Sequence, residues 1–257
     1  MRVLCIGDII GNPGRMALNK LLPIVKMQYK VDFVIANGEN SAGGKGATPD
    51  TVREMMAAGC DVITSGNHIW AMKEIVPSLE GDQPILRPLN YPPGLPGQGH
   101  IIMGDICVVN IIGRTFVGNF DCPFRAMDDI LKRIPDNIKI IVVDFHAEAT
   151  SEKVAMGYYL DGRVSALFGT HTHVPTADEK ILPKKTGYIT DVGMVGPTHS
   201  VIGCDVDEVI ERTISQVMHR LSVSKDKSVT FNAVLFDIDD ITGKTISVER
   251  INKEVSL

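Results

Sequence analysis

Aromatic residues, clustered cations and long hydrophobic runs are all scarce in this sequence. Aromatics make up 5% of the 257 residues, with a single Trp. Formal net charge is −5 and no basic run occurs, so the extended Lys/Arg footprint of a nucleic-acid surface is not expected. No apolar stretch reaches the roughly 20 residues that span a bilayer, which argues against a membrane protein. The five cysteines are odd in number and form no Cys-x-x-Cys. That excludes a paired redox motif and fits reduced core thiols in a cytoplasmic protein. The segment Met1 to Asp8 is too short for a secretory signal and reads as an opening strand. Familiar signatures are missing too. Gly7, Gly11 and Gly14 do not spell G-x-G-x-x-G, Gly43-Gly44-Lys45-Gly46 lacks the P-loop spacing, and there is no G-x-S-x-G or H-E-x-x-H.

What is present is ordinary globular material, 44% hydrophobic and 22% charged. Without a low-complexity linker or repeat, one domain over residues 1–257 is expected. Three times near the N-terminus a short apolar run passes through a polar turn into a helical pattern. The runs are Val3–Ile6, Phe33–Ala36 and Val62–Thr64; the helices are expected over Arg15–Tyr29, with Pro23 as a kink or early end, and over Thr48–Ala58. Such alternation predicts an α/β core with parallel strands. Further on, Ile101–Met103 with Ile106–Ile111, and Val229–Ile238 with Thr245–Ile251, read as hairpins. Strands are also expected at Ile138–Phe145, Val164–Phe168 and Tyr188–Thr190. Helices are expected over Pro123–Arg133, over a Thr150-Ser151-Glu152 cap to Tyr159, and over Val206–Met218. Hairpins beside parallel units suggest two mixed sheets packed face to face with helices outside.

The chemistry gathers at strand ends, where open α/β sheets bind ligands. Gly169-Thr170-His171-Thr172-His173 follows an apolar run. In extended backbone its two imidazoles would point to one side. Asp8, Glu39, Asn40, Asn67, His68 and His146 stand at the other ends. Each has a bland reading: Asp8 as a helix cap, Glu39-Asn40 as loop polarity, Asn67-His68 as turn chemistry, His146 as a core histidine. Their recurrence at successive strand ends is what those readings do not explain. Carboxylates, imidazoles and amide oxygens suit Mn, Fe, Zn or Co. There are enough ligands for two ions sharing one carboxylate, a charge that would draw phosphate to an acidic protein. Arg15, Arg114 and Arg163 lie near polar turns as phosphate contacts or as plain surface ion pairs. The lone Trp70 reads as core.

In order, Gly7-Asp8, Gly38-Glu39-Asn40, Gly66-Asn67-His68, His146 and Gly169-Thr-His171-Thr-His173 resemble the motifs of calcineurin-like metallophosphoesterases. Two departures stand out: Ile10 occupies the usual His of the first motif, and Glu39 stands in place of the bridging Asp. With Phe145 to Lys153, they resemble a bacterial branch of cyclic-nucleotide phosphodiesterases, acting on 2′,3′-cyclic and more weakly on 3′,5′-cyclic nucleotides. The resemblance implies a four-layer αββα sandwich of two mixed sheets flanked by helices. It implies two divalent or mixed-valence ions, iron or manganese ahead of zinc or cobalt. One would be held by Asp8, Glu39, Asn40 and His173, the other by Glu39, Asn67, His146 and His171. A bridging hydroxide would attack phosphorus in line, with His68 as general acid. The expected partner is a cyclic nucleotide or another small phosphodiester, and a homo-oligomer is compatible with the sequence. The rival readings are a phosphomonoesterase or 5′-nucleotidase on the same metals, and a regulatory metal- and nucleotide-binding protein without turnover.

Overall fold

Side-chain alternation sorts the first strand, β1 (Arg2–Ile6), between two cores: Val3 and Cys5 pack to one side, Leu4 and Ile6 to the other. The structure is a computed structural model describing residues 1–257. After β1 the chain turns at Gly7 into β2 (Asp8–Ile9), runs through α1 (Gly11–Tyr29), and returns as β3 (Phe33–Asn37). The next helix, α2 (Pro49–Ala58), leads to β4 (Val62–Thr64) and a short α3 (Val76–Glu80). The second half contains β5 (His100–Met103), β6 (Ile106–Ile112), α4 (Pro123–Leu131), β7 (Ile140–His146), α5 (Thr150–Leu160) and β8 (Ala166–Thr170). It closes with β9 (Lys180–Ile181), β10 (Gly187–Ile189), β11 (Met194–Pro197), α6 (Val206–Ser215), β12 (Ser228–Ile238) and β13 (Thr245–Ser256).

Two mixed sheets result. One runs β2-β11-β12-β1-β3-β4, with β13 along the other edge of β12; the second runs β5-β6-β7-β8-β10-β9. Within them β1, β3 and β4 are mutually parallel, as are β6, β7, β8 and β10. Both outer hairpins expected from the sequence form as antiparallel pairs.

Three apolar clusters define four layers. Leu18, Leu22, Val52 and Met55 of α1 and α2 pack on Leu4, Ile6 and Phe231. Met127, Met156 and Leu160 of α4 and α5 pack on Val143 and Phe145. Between the sheets, Val3, Ile35 and Phe236 meet Val108, Val142 and Phe168. This is the αββα sandwich, each buried side chain of this size contributing about 1.5–3 kcal/mol. No helix is long and apolar enough to cross a membrane.

The differences from expectation are local. The first helix starts at Gly11 and continues past Pro23 to Tyr29 instead of ending there. Thr150 is the first helical residue of α5 and gives no cap hydrogen bond; Glu152 instead accepts the backbone N–H groups of Arg114 (3.0 Å) and Thr115 (3.1 Å). Helix α6 stops at Ser215, where Gln216 turns into the left-handed region (φ 57°), three residues before the expected end at Met218. Cys5, Cys60 and Cys107 are buried, and all five cysteines are free thiols.

Candidate metal centre

Polar residues from both sheets converge where the parallel strands end. Asn37 at the end of β3 and Thr64 at the end of β4 donate to Asp144 Oδ2 of β7, at 3.1 Å and 2.5 Å, so the carboxyl ends of the two sheets open on one place. Close approach there demands glycine: a Cβ on Gly66 would lie 2.2 Å from His146 Nε2 and 2.4 Å from Glu39 Oε2. The His-x-His pair reaches the site differently from the extended-strand expectation. His171 and His173 lie beyond β8 in the left-handed region, with φ of 99° and 66°. Backbone of this kind is strained in a non-glycine residue and gathers at functional sites.

Glu39 is the hub. Its Oε1 lies 3.2 Å from His146 Nε2 and 3.4 Å from His68 Nδ1, and accepts from Asn40 Nδ2 at 3.2 Å. On one side of it, His146 Nε2 is 3.0 Å from His171 Nδ1 and 3.1 Å from Asn67 Oδ1. Ligand atoms of Glu39, His146 and His171 all fall within 4.8 Å of one another. On the other side, His173 Nε2 lies 3.8 Å from Asp8 Oδ1 and 3.2 Å from Asn40 Nδ2. All seven residues expected to ligate metal, with His68, are thus in one cluster.

The outer hydrogen bonds of the three histidines fix their tautomers. Thr170 Oγ1 has one hydrogen and gives it to Asp144 Oδ1 (2.7 Å), so it accepts from His146 Nδ1–H (2.9 Å). His171 Nε2–H faces the Glu148 carboxylate (3.1 Å), and His173 Nδ1–H donates to the Ile202 carbonyl (2.8 Å). Each ring therefore turns its other nitrogen inward, the pattern by which metal-binding histidines are oriented. Asp8 adds a second sign. Its Oδ2 accepts from the His171 N–H (3.1 Å), while its Oδ1 is the only buried side-chain nitrogen or oxygen without a hydrogen-bond partner. A fully buried carboxylate oxygen is costly to leave bare, and a cation would satisfy it. Nor does Asp8 cap a helix: the N-cap of α1 is Ile10, with no side-chain bond.

Electrostatics agree. Burial pushes Asp8 up, against the pull of His173 and His146. Burial would also raise Glu39, but the adjacent His146 and His68 hold it well below the usual carboxylate range. Burial opposes charge on His146, yet Glu39, Asp8 and Asp144 together lift it to about 9. Burial, then repulsion from His146, brings His171 down to about 3. A proton on His146 occupies the place a metal would take, as expected of a site that exchanges protons for metal.

A second layer escaped the sequence reading. Lys153 of α5 and Asp191, each 1% exposed, form an ion pair at 2.6 Å. Asp191 also accepts from Thr172 N (3.2 Å), Thr172 Oγ1 (2.7 Å) and Gly193 N (2.8 Å), pinning the strained loop between the two histidines. Lys153 shares the buried face of α5 with Met156, Gly157 and Leu160. A lone Lys on an apolar stripe was the available signal. Two of the three arginines are structural: Arg15 binds Glu54 and the Ser41 carbonyl, both at 2.5 Å, and Arg163 binds Asp128 at 2.6 Å. Trp70 packs edge-on against Tyr91 at the core margin.

His68 is the partly open member, its side chain 29% exposed. Its Nδ1 meets Asn40 Oδ1 at 2.7 Å, and its ring lines a cavity of about 780 Å³ together with Asn40 and His173.

The family described as YmdB-like protein matches residues 4–251. The chain belongs to this family. A Bacillus subtilis (strain 168) member described as a 2′,3′-cyclic-nucleotide 2′-phosphodiesterase is 45% identical over 255 residues, covering 98% of this chain and 96% of that one. The crystal structure of a hypothetical protein from Thermus thermophilus superposes with a TM-score of 0.92 at 42% identity, covering 99% of each chain. That of a Mycoplasma pneumoniae protein described as a novel phosphatase gives 0.93 at 34% identity, covering 100% of this chain and 94% of that one. The YmdB-like fold is thus the calcineurin-like metallophosphoesterase sandwich that the strand-end motifs resemble.

Proposed function

We propose that this protein is a dinuclear metal-dependent phosphodiesterase that opens nucleoside 2′,3′-cyclic phosphates at O2′, with weaker action on 3′,5′-cyclic nucleotides. The observation that carries this reading is the donor set: three histidines with their inward nitrogens freed by outer hydrogen bonds, around a bare, buried Asp8 Oδ1. Asp8, Glu39, Asn40 and His173 would hold one ion; Glu39, Asn67, His146 and His171 would hold the other, within a single domain spanning residues 1–257. Ligation by Asn40 requires its amide oxygen to turn from His68 toward Asp8. Donors of this kind suit Mn, Fe, Zn or Co, and the family resemblance puts iron or manganese first. When bound, two such ions neutralise charge on the phosphoryl oxygens and lower the pKa of the attacking water.

The chain's own residues do the rest. Glu39 and Asp8 present buried carboxylates to the site. Asp191 and Thr170 hold the imidazoles in place. His68 is the one imidazole of the cluster that lines the open cavity without being assigned to an ion. As the water oxygen bonds to phosphorus and the P–O2′ bond breaks, His68 delivers a proton to O2′; the water gives up one of its own protons to solvent, from which His68 is recharged. The products are a 3′-phosphomonoester and a free 2′-hydroxyl. Protonating an alkoxide leaving group contributes on the order of 10²–10⁴ in rate.

The name of the Bacillus subtilis relative supports the diester reading. The test is the metal-loaded enzyme on adenosine 2′,3′-cyclic phosphate against 3′-AMP and 5′-AMP, with bis-p-nitrophenyl phosphate against p-nitrophenyl phosphate as a second pair. Faster ring opening than phosphate release is expected. Faster release of phosphate from the monoesters would make the enzyme a phosphomonoesterase, and tight nucleotide binding without turnover would make it a regulatory protein.

A further inference from the structure

The cavity that begins at Asn40, His68 and His173 is larger than a cyclic phosphate needs. Its volume of about 780 Å³ lies in the range of pockets that enclose whole nucleotide-sized ligands. Its wall is also uneven in charge. Lys45, Arg212 and Arg220 line it, and no Asp or Glu does, although the chain as a whole carries −5. None of the three cations forms an ion pair. Arg212 gives a hydrogen only to the weak acceptor Met218 Sδ, at 3.2 Å. The acid one turn earlier on α6, Glu208, is committed to Ser222, accepting its N–H at 2.6 Å and its hydroxyl. Ile10, Met72 and Val223 supply apolar lining for the body of a ligand. Concave, acid-free walls bearing several cations concentrate anions.

The reacting phosphate belongs at the histidine–carboxylate cluster, so these cations answer to another anion. On a ribose closed between O2′ and O3′, the remaining position that ordinarily carries phosphate is O5′. We propose that Lys45, Arg212 and Arg220 form a subsite for the 5′-phosphoryl group of a nucleotide whose 2′,3′-cyclic phosphate lies at the metal centre. This rests on the phosphodiesterase reading above and narrows its substrate class. The group has two sources: a free 5′-phosphorylated nucleoside 2′,3′-cyclic phosphate, or the 3′-terminal nucleotide of a short RNA, whose upstream phosphodiester occupies the same position.

The experiment compares kcat/KM of the metal-loaded enzyme on adenosine 2′,3′-cyclic phosphate, its 5′-phosphorylated form, and the dinucleotide ApA ending in a 2′,3′-cyclic phosphate. The 5′-phosphorylated form should be preferred over the plain cyclic nucleotide by about tenfold, the scale of one good charge-assisted contact. The dinucleotide arm identifies the source. A preference at least as large there points to RNA ends, and one confined to the free nucleotide points to small molecules. Arg212→Gln, Arg220→Gln and Lys45→Gln, each checked for unchanged thermal unfolding, should shrink the ratio, as should added salt. Equal kcat/KM on all three substrates in the wild-type enzyme, or a preference that survives all three substitutions, overturns the subsite. If none of the three is opened while p-nitrophenyl phosphate is hydrolysed, the phosphodiesterase reading itself has failed.

Discussion

Replacing Thr170 by Val probes the tautomer arrangement with little change of shape. Thr170 Oγ1 stands between Asp144 Oδ1 at 2.7 Å and His146 Nδ1 at 2.9 Å, all three fully buried. Valine fills the same volume and suits the strand end, but it removes the hydroxyl. The Nδ1–H of His146 and Asp144 Oδ1 are then both stranded. Asp144 keeps Thr64 and Asn37 on its other oxygen. Each stranded buried group costs about 1–3 kcal/mol, so a loss of about 2–6 kcal/mol is expected in denaturant unfolding of the metal-free protein. Typical total stability is about 5–15 kcal/mol, so the variant should still fold. With its outer hydrogen bond gone, His146 is free to take the wrong tautomer or rotate, and metal affinity should fall about 10–100-fold in a competition titration with a chelator. Thr170→Ser keeps the hydroxyl and should lose about 1 kcal/mol while binding metal nearly as well as wild type. If Thr170→Val binds metal as tightly as the wild-type protein, the outer hydrogen bond does not set the ligand.

Three further outcomes are expected. His68→Ala should keep its metal content but lose most turnover on cyclic nucleotides, and much less on bis-p-nitrophenyl phosphate, whose leaving group departs without a proton; equal losses would remove the acid role. Metal uptake should release protons and weaken as pH falls, because His146 in the metal-free site is lifted to about 9 and is protonated at neutral pH. Apparent affinity should change about tenfold per pH unit for each proton displaced, and a pH-independent affinity between about 6 and 8 would contradict this. Burial pushes the Cys60 and Cys107 thiols up to about 12, so native thiol titration should report at most Cys122 and Cys204, with all five reacting after unfolding.

Much of this architecture is written in local pattern. Val3 and Cys5 against Leu4 and Ile6 announce a strand buried on both faces, and the polar residue ending each such run marks the site. The family motifs then sort Asp8, Glu39, Asn40, Asn67, His146, His171 and His173 into one cluster, and the structure brings those residues together. What local pattern does not encode is contact across the chain. Thr170 meets Asp144 and His146 from a neighbouring strand, and Glu148 reaches His171 from a loop. The convergence of His171 and His173 comes from two left-handed residues held by Asp191, not from strand periodicity. Strands of two residues, β2 and β9, are too short to show any period. Thr150 has the composition of a cap, but Glu152 is drawn to the Arg114–Thr115 backbone instead.

The central claim is a two-ion centre shared by Glu39. Anomalous scattering collected across the manganese, iron and zinc edges, on crystals of protein purified without added metal, tests it most directly. Two peaks are expected about 3.5–4 Å apart, one beside Asp8 and His173 and one beside His146 and His171, with Glu39 between them. A single peak, or two peaks of which Glu39 touches only one, would contradict it.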